Sequence, residues 1–309
     1  MSTNAFSGVI TPLLTPITAD ERVHESSLRS LVDYQLDNGV SGLWASGTTA
    51  EFAAFTEAER IASIEIVADH AAGRVPVIAN ITMPSTALTI ELGRKVAGKV
   101  GAVAATPPYY YPHSQEEIKI HYRLIREALG VPLWVYNIPQ MHKTAVAPVT
   151  VADLADEGVV IGIKDSSGAG ELLAELHALR AARGFELVST LGTMLRATTS
   201  VALGAQGIIP GLANALPAIM SGAWEAGRAG DIEAARAYDA QIVAGLRIQT
   251  LGQSGSSVPG SVYSGLKAAL LHMGVIETDY VTAPFKPLSD EERGQIPGIL
   301  AGLGLGNGR

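Results

Sequence analysis

Eight apolar runs of strand length, at 8–12, 42–46, 75–80, 101–106, 131–137, 159–164, 186–191 and 206–210, alternate along this chain with segments of helix length. Strands apolar on both faces cannot leave one side in water, so they specify a parallel sheet covered by helices. The helical segments carry their own start signals. Thr56-Glu57-Ala58-Glu59-Arg60 offers a capping hydroxyl and an acidic first turn, and Ser114-Gln115-Glu116-Glu117 reads as a capping box. Eight strand–helix units predict an α/β fold of the (β/α)8 TIM-barrel type, with a doubly wound open sheet as the alternative. One stretch, 197–224, has no charged residue, but Gln206, Pro210, Asn214 and Pro217 break it into a strand, a turn and a helix start.

Beyond the eighth strand, helices are expected at 216–226, 232–247 and 261–272, separated by 227–230 and by a Gly/Ser stretch at 252–260. That is more helix than a minimal barrel needs. The expected organisation is a catalytic barrel over 1–229 and a C-terminal helical appendage over 230–309. The glycine-rich end, 302–308, has no strand leading in and no helix following, so it reads as a frayed tail and not a dinucleotide loop.

The charge balance narrows the partners. A net charge of −8 without a basic cluster lacks the electrostatic footprint of nucleic-acid binding. The absence of cysteine excludes disulfides, thiolate metal sites and cysteine nucleophiles. His24, His70, His113, His121, His142, His177 and His272 show no paired ligand spacing and are expected on surfaces and helices, with no metal implied. The first seven residues have neither a basic nor an apolar leader region, so a cytoplasmic protein with small-molecule partners and no membrane association is expected.

Lys164 closes the apolar run Val159-Val160-Ile161-Gly162-Ile163 and is followed by Asp165-Ser166-Ser167-Gly168. An ammonium at the mouth of an apolar barrel needs a partner or a task, and a lysine whose charged form is disfavoured becomes a nucleophile toward carbonyls. The plain alternative is a strand-end lysine reaching into water. Its companions decide. Active sites of (β/α)8 proteins lie at the C-terminal strand ends, where Gly47-Thr48-Thr49-Ala50-Glu51, Tyr109-Tyr110-Tyr111 and Tyr136-Asn137-Ile138-Pro139 also fall. Taken singly, the threonines read as a cap and Tyr136 as a rim aromatic. Together they supply what bonding a 2-oxo acid requires: hydroxyls for a carboxylate, a phenol that donates and accepts, and an amine. Glu51 and Asp165 as a glycosidase pair are set aside, since Glu51 is expected to begin a helix and Asp165 adjoins the lysine. A keto-acid sensor would be suggested by loss of Lys164 or Tyr136, and both are present.

These segments, with Thr106-Pro107-Pro108-Tyr109-Tyr110, Gly162-Ile163-Lys164-Asp165 and Gly204-Ala205-Gln206-Gly207-Ile208-Ile209-Pro210, resemble the dihydrodipicolinate synthase / N-acetylneuraminate lyase family of pyruvate-dependent class I aldolases, from about residue 6 to Pro287. The resemblance implies that Lys164 forms a Schiff base with pyruvate while Tyr136 acts as general acid and base. It implies that Thr48 and Thr49 hold the carboxylate and that Thr48 links Tyr136 to a tyrosine from a neighbouring subunit. That tyrosine is assigned to Tyr110, with Tyr109 and Tyr111 as the alternatives in register. The Ile209 carbonyl would face the amine, and Gly192 would line the pocket. The resemblance further implies a homotetramer built as a dimer of dimers, with no metal or organic cofactor.

The departures bear on the aldehyde. Dihydrodipicolinate synthases carry an arginine two residues after the proline of Tyr-Asn-x-Pro, where this chain has Met141; Lys143 lies two residues further on. Sialic-acid lyases carry two acidic residues after the seventh strand, where Leu191-Gly192-Thr193-Met194-Leu195 stands here. The Lys164-Asp165-Ser166-Ser167-Gly168 segment is similar to that of aldolases and dehydratases acting on 2-keto-3-deoxy sugar acids, which makes such an acid the expected substrate, with Met141, Ser166 and Met194 lining its site. The synthase reaction and a hydratase-aldolase on a less polar aldehyde are the alternatives.

Overall fold

The computed structural model describes residues 6–168 and 170–305. Eight strands follow the alternation read from the sequence: β1 Gly8–Pro12, β2 Gly42–Ala45, β3 Val77–Asn80, β4 Ala102–Ala105, β5 Leu133–Asn137, β6 Gly162–Asp165, β7 Val188–Leu191 and β8 Gly207–Ile208. They pair in parallel in chain order, and β8 returns to β1 to close the barrel. The open sheet is thereby excluded.

The two faces of each strand go to different cores. On β5, Trp134 and Tyr136 point into the barrel, while Leu133 and Val135 meet the surrounding helices. Trp44 of β2, Ile78 of β3 and Ala102 and Ala104 of β4 join the interior set, and their chain neighbours join the outer one. Alternation of side chains along a strand produces this split. Phe6, Trp44 and Trp134 stack edge to face, and each ring takes roughly 150–250 Å² out of water, worth about 4–6 kcal/mol at ~25 cal/mol per Å². Gly162 must be glycine, since a Cβ there would lie 2.5 Å from the Trp134 indole. Asn214, after β8, locks the closure by accepting from the Leu14 amide and donating to the Pro12 carbonyl, both at 2.8 Å.

The expected helix starts are present. Thr56 accepts from the Glu59 amide, and Ser114 with Glu117 forms a reciprocal capping box. After β8 run the helices Pro217–Ala229, Ile232–Thr250 and Val258–His272, then two short ones, Asp290–Arg293 and Ile296–Gly302. The third begins inside the expected Gly/Ser linker, because Ser257 caps it and Pro259 is tolerated in a first turn. Gly230, where the chain was divided, is the left-handed cap between two helices that pack on each other. The start expected to lack a leader falls mostly on residues 1–5, outside the described residues, and so does the tail reading from 306 on. No helix among the described residues is long and apolar enough to cross a membrane.

Candidate active site

Tyr136 and Lys164 are register partners on adjoining strands, so their side chains emerge side by side on the inner face. Both are buried, at 2% and 4% exposure. The Lys164 Nζ lies 4.3 Å from the centre of the Tyr136 ring and 4.9 Å from that of Trp44, within the ~6 Å over which an aromatic face attracts a cation. No carboxylate lies within ion-pair distance of this amine among the described residues. Asp165, next in sequence, points to the other face, where it accepts from Asn137 Nδ2 at 2.8 Å and from the Ser167 amide and hydroxyl. The amine is left free for chemistry.

The Tyr136 hydroxyl lies 3.0 Å from Thr48 Oγ1. Thr48–Ala50 is a single 3-10 turn directly after β2. The turn sits low over the barrel because Gly47 has no side chain: a Cβ there would lie 2.8 Å from the Trp44 indole nitrogen. Thr49 faces Gly211 after β8, where an added Cβ would be 3.6 Å from its hydroxyl.

Glu51 does not begin a helix, contrary to the sequence reading. It adopts a left-handed conformation (φ 60°) between two 3-10 turns and is buried. Its carboxylate pairs with Lys267 Nζ at 2.5 Å, both side chains being fully excluded from solvent, and accepts from the Thr282 amide and hydroxyl at 2.8 Å each. Lys267 also donates to the Tyr280 carbonyl at 2.7 Å. A left-handed non-glycine residue costs about 1–2 kcal/mol, and these bonds offset it.

Beside Thr48 opens a cavity of about 500 Å³ whose walls include Phe52, Tyr109, Ile138, Met141, Tyr263 and Phe285. Tyr263 and Phe285 meet edge to face at 5.2 Å. Of the expected site residues, Thr48 and Met141 line this cavity, whereas Lys164, Tyr136 and Ile209 are buried in the barrel interior and do not line it. Ser166 and Gly192 pack on one another at the rim of β6 and β7, a Cβ on Gly192 falling 2.2 Å from Ser166 Oγ. Met194 instead packs against the outer core. Lys143 follows the short helix Pro139–His142 with φ 73° and does not line the cavity.

Tyr110 is 74% exposed with a positive φ of 88°, while Tyr109 is half-buried against the cavity. A strained backbone at a bulky residue commonly marks function. Two of the histidines expected on surfaces and helices lie on helices and are buried. His121 lies between Thr86 Oγ1 (2.9 Å) and the Thr106 carbonyl (3.2 Å), and His142 Nε2 accepts from the Ile138 amide at 2.8 Å. Burial pushes both imidazoles down to about 4, so both are neutral at pH 7. Among the described residues no three His, Cys, Asp or Glu side chains gather as a metal site would.

A profile of the Dihydrodipicolinate synthetase family matches residues 5–302. The chain belongs to that family. It is a class I aldolase or lyase, of a family that uses pyruvate through a lysine Schiff base without a separate cofactor. Family relatives include the 4-hydroxy-tetrahydrodipicolinate synthase of Trichlorobacter lovleyi, 34% identical over 96% of this chain and 98% of that one. The dihydrodipicolinate synthase of Bacteroides thetaiotaomicron has a solved structure that superposes with a TM-score of 0.89 at 32% identity, covering 96% of this chain and 98% of that one. A prophage protein of the family from E. coli K12, solved in complex with pyruvate, superposes with a TM-score of 0.87 at 26% identity over 97% of this chain and 99% of that one.

Proposed function

We propose that this family member joins pyruvate to an aldehyde, reversibly, through a Schiff base on Lys164, giving a 4-hydroxy-2-oxo acid, a class that includes the 2-keto-3-deoxy sugar acids. The observation that carries the reading is the Lys164–Tyr136 pair: a buried amine, without a counter-ion among the described residues, beside a phenol bonded to Thr48.

In the condensation direction the Lys164 nitrogen adds to C2 of pyruvate, and Tyr136 delivers a proton to the former ketone oxygen. Water leaves, and the iminium carbon draws electrons from C3, whose proton passes to the Tyr136 phenolate and restores the phenol. The resulting enamine attacks the aldehyde carbon while Tyr136 protonates the aldehyde oxygen. Water then hydrolyses the imine and frees Lys164, so one water leaves and one returns. Thr48 Oγ1 relays the phenolic proton, Thr48 and Thr49 hold the carboxylate, and the aromatic faces of Trp44 and Tyr136 favour the cationic iminium. The Ile209 carbonyl would face the amine. Ser166 and Gly192 form the rim beyond it, and Tyr110 of a neighbouring subunit completes the relay in a homotetramer.

Synthesis of the lysine precursor is the second reading, favoured by the names of the relatives. Met141 weighs against it, because a thioether does not pair with the second carboxylate of that reaction. Pyruvate-dependent consumption of aldehydes, followed for the wild type and for Lys164→Ala, tests the proposal: activity should vanish in the variant, and full activity without the amine would refute it.

A further inference from the structure

The cavity beside Thr48 has a chemistry of its own. About 500 Å³ falls within the roughly 300–1,000 Å³ of small-molecule sites, and the cavity adjoins the Thr48–Tyr136 hydrogen bond, where the second reactant must present its carbonyl. Most of its wall is carbon, with Phe52, Ile138, Met141, Pro259 and the edge-to-face pair Tyr263–Phe285; Thr48, Thr82 and Thr106 line it too, but their hydroxyls are engaged with Tyr136, Asn80 and the Pro107 carbonyl. Among the described residues no lysine or arginine lines it. Its histidine, His142, spends Nε2 on the Ile138 amide and is neutral at pH 7. Its carboxylate, Glu51, is spent on Lys267 and Thr282.

A substrate carboxylate here would be desolvated without a cation, and a polyol chain would lose its water to side chains that offer few partners. A flat hydrocarbon body would lose neither, and rings at an angle to one another suit an aromatic guest. We infer that the aldehyde joined to pyruvate carries an aryl body and no second carboxylate, held between Met141, Phe52 and the Tyr263–Phe285 wall. This rests on the Lys164 imine proposed above and narrows the product to a 4-aryl-4-hydroxy-2-oxo acid.

The test uses the wild-type enzyme with pyruvate and, in parallel, benzaldehyde, D-glyceraldehyde and succinic semialdehyde. Benzaldehyde should be preferred in kcat/KM by about 10²-fold or more over the other two, the discrimination that a few buried apolar contacts give. Phe285→Ser should lower the benzaldehyde-to-glyceraldehyde ratio by about 10-fold, and Met141→Arg should raise the succinic semialdehyde-to-benzaldehyde ratio by at least as much. Borohydride trapping of pyruvate should be unchanged in both variants. Equal or better use of glyceraldehyde or succinic semialdehyde, or no benzaldehyde turnover at all, overturns the inference when trapping succeeds. Failure of trapping in the wild type would instead remove the imine reading beneath it.

Discussion

Glu51 and Lys267 form an ion pair at 2.5 Å with neither side chain exposed, joining the turn that carries Thr48 and Thr49 to the helix Val258–His272. Removing one member leaves the other as a buried, uncompensated charge. Lys267→Met should therefore cost about 3–5 kcal/mol in urea unfolding, and Glu51→Gln/Lys267→Met should recover part of that loss. A single variant as stable as the wild type would mean that the pair holds nothing in place.

The pair also shows where sequence reasoning stopped. Lys164 was legible because strand periodicity and the barrel rule together fix which end and which face of β6 it occupies. Tyr136 was legible for the same reason on β5. Glu51 was misread because a Glu after a Thr pair is an ordinary helix opening, and nothing local announces a left-handed residue. The available signal was Lys267, a lone lysine in the apolar run Val262–Leu271, which demands a distant carboxylate. The cavity walls Phe52, Tyr263 and Phe285 were invisible for another reason: Phe52 lies more than 200 residues from the other two in sequence, and no short-range pattern records that they share a cavity.

Tyr136→Phe keeps the ring over Lys164 and removes the hydroxyl bonded to Thr48. Turnover should fall about 10²–10⁴-fold, as for loss of a general acid–base group, while pyruvate still binds covalently. Thr48→Val should cost about 10-fold by the same relay. Steady-state rates measured beside the extent of trapping separate the two effects, and unaltered turnover in Tyr136→Phe would take the phenol out of the reaction.

Tyr110 is exposed and strained in the single chain, as a residue serving a neighbour would be. Tyr110→Phe should lower activity by about 10–10²-fold. Unfolding and refolding it together with inactive Lys164→Ala should restore activity above that of either variant alone, since some sites then combine an intact lysine with an intact partner tyrosine. No gain in the mixture would confine the site to one chain.

Acid should destabilise the fold through its buried histidines. Their folded-state pKa of about 4 lies below the unfolded value of ~6.5, so the unfolded chain takes up protons first as pH falls. The stability they contribute is complete above pH ~6.5 and is lost between there and pH ~4, up to about 3 kcal/mol for each. Melting temperatures across that range should fall less steeply in His121→Gln than in the wild type. Parallel curves would exclude His121 as a source of the acid sensitivity.

Covalent capture of a keto acid by one amine is measured directly by peptide mass mapping after incubation with pyruvate and borohydride. The predicted result is a single reduced pyruvyl adduct on the peptide containing Lys164, absent without pyruvate and absent in Lys164→Ala. An active enzyme that stays unlabelled, or one labelled at Lys267 or another lysine in place of Lys164, would contradict it.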